Sequence, residues 1–258
     1  MIEIPLSLQQ AIESGKCVLF LGAGIGRHLT TNGKPLPSGW ELTQELCKKF
    51  DLEMKDSYEL PLISRVVELQ KGRKDLESYL HKRLSDAQPD DDLQWLLSLN
   101  WRSIYTTNYD EGIERAFSLN GNLRRQPVVY SLSQDIVDYD QRLEVPIIHL
   151  HGTLFGANKS NIVITSEDYV TYKEKRRMLF ELLKRDAAIS TILYVGYSNK
   201  DPNWNILITE LQDEFAPKKI PNSYRVAPNR GMTRSGTETR VKEFMLPSVL
   251  ASEVFVMA

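Results

Sequence analysis

The chain has only two cysteines in its 258 residues, Cys17 and Cys47. Two thiols exclude a disulfide-stapled scaffold and cannot furnish a four-cysteine zinc site. Both fall in apolar patterns and read as small buried side chains kept reduced, which sets the expected location as cytoplasmic. Long hydrophobic runs are also missing. None approaches the ~20 residues of a membrane span, so no membrane partner is expected. The opening Met1-Ile2-Glu3-Ile4-Pro5 has neither the basic start nor the apolar stretch of a secretion signal. Charge of one sign is not in excess either. With 32 basic and 34 acidic residues and a net charge of −2, no broad nucleic-acid-binding face is indicated. There is no internal repeat and no low-complexity segment.

What is present is the balance of an ordinary globular protein, 41% hydrophobic and 26% charged. The length suits one large domain or one domain with a sizeable insertion. The apolar run Cys17-Val18-Leu19-Phe20-Leu21 is too short for a buried helix and stops at Gly22-Ala23-Gly24-Ile25-Gly26. This predicts a strand buried on both faces, followed by a turn whose missing Cβ atoms let backbone approach a ligand. A helix after such a turn would favour an anion over it. Before the strand, Ser7 and Gln10 have capping-box spacing and Gly15 suits a helix end, predicting a short helix. Residues 30–39 are turn chemistry throughout and form a candidate cover over a ligand.

Helical spacing then runs over Trp40–Phe50, over Ser57–Leu84 with a break at Gly72, and over Leu93–Leu99. Residues 51–99 read as a helical module inserted between the first two strands of a single domain, 1–258. Further strands are predicted at Ile104–Thr107, Val128–Tyr130, Val145–Leu150, Ile162–Ile164, Ile192–Val195, Tyr224–Ala227 and Val254–Met257. Helices are predicted over Glu111–Leu119, from Thr165 to about Ser190, and from Asp201-Pro202 to Phe215. Alternation of this kind implies an α/β fold, a Rossmann-like parallel sheet covered by helices on both faces. The apolar end, Val254 to Ala258, is expected either to dock tightly or to continue into a longer chain or a partner.

Ligands of such sheets bind beyond the carboxyl ends of the strands. The residues predicted there are Gly22-Ala23-Gly24-Ile25, Thr107-Asn108-Tyr109-Asp110, His151-Gly152, Gly196-Tyr197-Ser198 and Asn229. Each has a structural reading. Asn108 and Asp110 suit helix caps, His151 a turn, and Ser198 a turn hydroxyl. Their coincidence at five strand ends says more than any one of them. His149 is expected on the same side of the sheet as His151, which is favoured for its place at the end. His28 and His81 are expected to face solvent.

In this order the residues resemble the sirtuin family of NAD-consuming enzymes. Gly22-Ala23-Gly24-Ile25 is similar to its glycine motif and Thr107-Asn108-Tyr109-Asp110 to its Gln-Asn-Ile-Asp strand end. His151-Gly152 is similar to its catalytic histidine and glycine, Gly196-Tyr197-Ser198 to its Gly-Thr-Ser turn, and Asn229 to its later asparagine on the adenosine side. The chain departs from the family in four ways. It lacks the four-cysteine zinc ribbon, has Gly26 where a serine is usual, has Thr107 for glutamine, and has Pro37-Ser38-Gly39-Trp40 for Pro-Asp-Phe-Arg. The Tyr109-Asp110 form, the Gly196-Tyr197-Ser198 turn followed by Asp201-Pro202, and the missing zinc ribbon resemble a bacterial branch whose members degrade NAD in antiviral defence.

The resemblance implies hydrolysis of the nicotinamide–ribose bond, with NAD as substrate and no metal. It puts Asn108 beside the water or the ribose hydroxyls and makes His151 the general base. Asp110 would then hold the nicotinamide carboxamide, the glycine-turn amides the diphosphate, and Ser198 a phosphate or the adenosine ribose. It further implies a homo-oligomer and an appended or separate sensor module. The alternatives are an NAD-dependent protein deacylase and a non-catalytic ADP-ribose or NAD sensor.

Overall fold

The computed structural model describes residues 4–121, 125–135, 140–157, 159, 161–197, 202–216, 220–228, 243–245 and 252–257. The predicted α/β architecture holds. After α1 (Leu6–Glu13) comes β1 (Cys17–Leu21), the strand the sequence singles out. It is buried along its whole length. Cys17, Leu19 and Leu21 enter one hydrophobic cluster, and Val18 and Phe20 enter the other. A strand in the middle of a sheet covered on both faces needs apolar side chains at every position, and that is what the unbroken run supplies.

The chain continues through a short 3-10 turn of helix, Ala23–His28, and then β2 (Leu29–Thr31), β3 (Lys34–Pro35), α2 (Gly39–Lys49), α3 (Leu60–Lys71), α4 (Arg73–Leu84), β4 (Gln88–Pro89) and α5 (Asp91–Ser98). The second half contains β5 (Trp101–Thr106), α6 (Gly112–Leu119), β6 (Gln126–Tyr130), β7 (Glu144–His149), α7 (Ser166–Lys175), α8 (Arg177–Ile189), β8 (Thr191–Val195), α9 (Pro202–Phe215), β9 (Ser223–Pro228), β10 (Glu243–Met245) and β11 (Ser252–Met257). The large sheet has the order β10-β11-β9-β8-β1-β5-β7-β6. The six strands from β9 to β6 pair in parallel, whereas β11 runs antiparallel to β9 and β10 antiparallel to β11. Helices α1 to α6 cover one face, and α7, α8 and α9 the other. From β1 the chain passes to β5, then to the edge strand β6, fills in β7 between them, and crosses back to β8 on the other side of β1. The crevice between β1 and β8 is therefore the topological switch point, where such sheets bind ligands.

Four local expectations are corrected. Ser7 does not cap α1; Pro5 precedes that helix, and Ser7 Oγ instead lies 2.6 Å from the hydroxyl of Tyr224. The turn-rich segment after β1 is not an open loop. Its strands β2 and β3 form a small antiparallel sheet, β3-β2-β4, with β4 from much later in the chain. Leu36 N–H donates to the Leu29 carbonyl at 2.9 Å, and the Leu36 side chain joins the core. Ile162–Ile164 is not a strand, because its neighbourhood spends its carbonyls on side chains. Tyr109 donates to Val163 O at 2.7 Å, and the guanidiniums of Arg73 and Arg176 donate to Ile162 O and Asn161 O. The helix predicted from Thr165 to Ser190 is two helices, broken at Arg176 (φ −117°, ψ 29°). Its start is as expected: Asp168 N–H donates to Thr165 Oγ1 and Thr165 N–H to Asp168 Oδ2, a reciprocal cap. Asp201, the predicted cap of α9, lies outside the described residues.

Candidate functional site

The glycine turn after β1 meets the turn after β8 backbone to backbone. Gly22 N–H donates to Val195 O at 3.0 Å, and Gly24 N–H donates to Gly196 O at 2.8 Å. Gly196 has φ +65°, a left-handed conformation that suits glycine. A Cβ on Gly24 would lie 2.6 Å from Gly196 Cα, and one on Gly196 would lie 2.6 Å from Ile25 N. The predicted glycines are thus brought together, and their missing side chains are what lets the two turns touch at the switch point. Ile25 N–H is also engaged, with Gly22 O at 3.1 Å. The Gly24 and Ile25 amides therefore hold the turn itself, and the chain leaves it as a six-residue 3-10 helix rather than an α-helix. Gly26, where the resembled family has serine, is covered by Leu36: an added Cβ would lie 3.0 Å from Leu36 O.

The segment after β5 lies against this platform. Thr107 is half-buried, and its N–H donates to Leu21 O at 3.4 Å. Asn108 is buried. Its N–H donates to Thr106 Oγ1 at 3.0 Å, and its side-chain Nδ2 donates to Gly22 O at 3.3 Å. Asp110 is buried too, and its Oδ1 accepts from Gly112 N–H at 2.9 Å as α6 begins. Asp110 thus takes the first free N–H of α6 from one residue before the N-cap, Glu111, and is not itself the N-cap. Burial raises its carboxyl to about 6; the Gly112 N–H pulls it down, and Glu114 pushes it up further.

The loop after β7 runs beside that segment. Leu150 N–H donates to Thr106 O at 2.9 Å, Leu154 N–H to Tyr109 O at 3.1 Å, and Thr153 Oγ1 to Tyr109 O at 3.2 Å. His151 is buried in this loop. Its ring meets Tyr169 and Tyr172 of α7 edge to face, with centroids 5.2 and 5.1 Å apart. Gly152 follows with φ +78°.

His149 does not share the side of His151. It lies on the β7 face of Val145 and Ile147, toward α6, whereas the ring of His151 packs against α7 on the other face. The strand ends at His149, so alternation no longer governs where His151 points. His149 Nε2 is 2.6 Å from Glu114 Oε1, and Nδ1 is 3.2 Å from Asn108 O. Burial opposes its charge, but Glu114 and the Asn108 carbonyl outweigh this and hold the imidazole above its ordinary value.

Sequence reasoning missed Glu114, and it missed the tyrosines against His151. Glu114 had one available signal: it shares α6 with the buried Ile113, Ala116 and Phe117. His28 is half-buried rather than solvent-facing, with Nδ1 2.8 Å from Asp90 Oδ2. His28, Asp90 and Asp92 bring possible metal ligands within 4.8 Å of one another, although Asp90 already caps α5 through Leu93 N–H. His81 is exposed, as expected. Ser198 and Asn229 lie outside the described residues.

A known domain family, the SIR2-like domain, matches residues 102–245. That span is more than half of the chain and includes Thr107, Asn108, Asp110, His151 and Gly196. The chain belongs to the SIR2-like family. Over 207 residues this SIR2-like chain is 25% identical to the NAD(+) hydrolase ThsA of Enterococcus faecium, covering 79% of this chain and 41% of that protein. Over 213 residues it is 24% identical to the defense-associated sirtuin 2 of Bacillus subtilis, covering 80% of this chain and 20% of that protein. A second NAD(+) hydrolase ThsA, from Cytobacillus dafuensis, is 22% identical over 204 residues, with 79% and 39% covered. The SIR2-like chain thus spans less than half the length of these relatives. The glycine turn precedes the matched span, and its link to the strand-end groups comes through Gly196 and Asn108.

Proposed function

We propose that this SIR2-like chain hydrolyses the nicotinamide–ribose bond of NAD to nicotinamide and ADP-ribose, as an effector that depletes NAD in antiphage defence. The observation that carries the reading is the similarity, over 79% of the chain, to a protein named NAD(+) hydrolase. The buried Asn108, Asp110 and His151 at neighbouring strand ends support it.

The chemistry asks for little covalent work. Nicotinamide leaves as a neutral pyridine, and the ribose passes through an oxocarbenium-like state. The chain must hold the sugar, exclude bulk water and admit one water molecule. In this reading Asn108, tethered to Gly22 O, orients that water or the ribose hydroxyls. His151 acts as general base, taking a proton from a ribose hydroxyl or from the water that adds to the anomeric carbon as nicotinamide leaves. Asp110 receives the nicotinamide carboxamide. The turn around Gly22, Ala23, Gly24 and Ile25 lies under the diphosphate, and Thr107, Gly196, Ser198 and Asn229 line the remainder. With Gly24 and Ile25 N–H engaged within the fold, the turn contributes a close backbone surface more than donors. No step calls for a metal. The effector would work in the cytoplasm as a homo-oligomer, with sensing by an appended or separate module.

The test is to incubate purified protein with NAD across a concentration series and follow free nicotinamide. Turnover by wild type, with loss of about 10²-fold or more in Asn108→Ala and His151→Ala, is the expected outcome. Equal turnover in both variants would discard these roles. Acetyl-ADP-ribose formed with an acetyl-lysine peptide would favour a deacylase, and binding without turnover a sensor.

A further inference from the structure

His149 ends β7 with 0% exposure, and both of its ring nitrogens face acceptors. Nε2 lies 2.6 Å from a carboxylate oxygen of Glu114, and Nδ1 lies 3.2 Å from the backbone carbonyl of Asn108. A neutral imidazole carries one N–H. Either tautomer would set a ring lone pair against an oxygen at hydrogen-bond distance. Satisfying both contacts takes one proton more than a neutral ring and a carboxylate hold between them. Among the described residues the buried Glu114 Oε2 has no hydrogen-bond partner, and the Glu114 carboxylate meets the fold through the oxygen on the ring. Among the described residues, the charged groups facing His149 are Glu114 from α6 and Asp110 from the segment after β5.

The contacts form a chain. Glu114 holds His149, His149 holds the Asn108 backbone, and the Asn108 side chain reaches Gly22 O in the glycine turn. We infer that His149 and Glu114 are a protonated positioning pair, which fixes Asn108 from the face of the sheet opposite His151 while touching no substrate. This deepens the NAD-cleavage reading and rests on it for its effect on turnover. The pair has a definite pH sense. As pH rises and its proton leaves, one of the two ring contacts fails, Asn108 loosens and turnover falls. Replacing Glu114 by glutamine keeps an oxygen for Nε2–H but removes the charge that retains the proton, so the fall begins at lower pH.

Histidine-selective ¹⁵N NMR across a pH series tests the pair without relying on activity. Wild type should show both ring nitrogens of His149 protonated at neutral pH. In Glu114→Gln that proton should leave at a pH lower by about one unit or more. The His149 signal is assigned by its loss in His149→Gln or, if that variant does not fold, by elimination with His28→Gln, His81→Gln and His151→Gln. In the NAD assay, Glu114→Gln should lower kcat by about tenfold or more, with KM nearly unchanged and the alkaline limb moved to lower pH. A singly protonated His149 ring in wild type would overturn the inference. So would a Glu114→Gln titration and pH profile that match wild type. If wild type turns over no NAD, the cleavage reading fails, and the NMR titration still decides whether the pair holds its proton.

Discussion

Replacing Gly24 by alanine separates two uses of the glycine turn, packing and ligand approach. The new Cβ would lie 2.6 Å from Gly196 Cα and 2.9 Å from Gly196 O. Ordinary carbon contacts sit near ~3.5–4.0 Å, so the two turns must part by about 1 Å. Overpacking of this kind costs roughly 1–3 kcal/mol. Parting the turns also stretches the 2.8 Å bond from Gly24 N–H to Gly196 O, a net loss of about 1 kcal/mol. The sum, roughly 2–4 kcal/mol, corresponds to a melting point lower by about 5–15 °C in a chain of this size. The assay is a thermal melt followed by circular dichroism, with NAD turnover measured well below the transition. Gly39→Ala is the control, because among the described residues nothing beyond its chain neighbours and its own helix comes within 4 Å of an added Cβ and it begins α2. Its melting point should match or slightly exceed that of wild type. If Gly24→Ala melted within about 2 °C of wild type yet lost turnover, the packing argument would be refuted, and the glycine would be there for the ligand.

Asp110→Asn should change how stability depends on pH. The carboxyl is raised from 3.8 to about 6, chiefly by burial. The folded state therefore favours its protonated form, and that stability is full below pH 3.8 and lost as pH rises through about 6. The full span is worth up to roughly 3 kcal/mol. Urea unfolding at pH 4 and pH 7 should show wild type losing most of that relative to Asp110→Asn, and an equal loss in both would contradict it. Asp186→Ala should destabilise by about 3–5 kcal/mol, because the buried Asp186 carboxylate accepts from Arg102 Nε, Ser103 Oγ and Tyr105 OH at 2.8 to 2.9 Å. Leu19→Ala, in the centre of β1 with 0% exposure, should cost about 2–5 kcal/mol in the same measurement.

Much of the fold was legible because its strands are buried on both faces. An apolar run such as Cys17–Leu21 or Ile192–Val195 has few other places to go. Errors arose where side chains compete with the backbone. Ile162–Ile164 is as apolar as a strand, but Arg73, Arg176 and Tyr109 take carbonyls in and beside it. Helix α7 stops at Arg176, whose guanidinium turns inward to Ser131 O and Asn161 O. Such partners lie 15 to 89 residues away, and no local pattern announces them.

The sequence by itself determined the alternation of strands and helices, the strand ends that carry the candidate site, and the resemblance that a match over residues 102–245 turned into membership of the SIR2-like family. These are local properties, set by the period of apolar residues and by glycine or proline at the boundaries. Only the tertiary structure decided which glycine serves which purpose, because Gly22, Gly24 and Gly196 explain one another only once two turns some 170 residues apart are in contact. It alone separated His149 from His151, which lie two positions apart in the chain. A strand's alternation ends with the strand, so one ring faces Glu114 and the other faces Tyr172. It also gave Glu114 a role, since a carboxylate on a helix becomes a positioning group only when a buried imidazole from another element meets it.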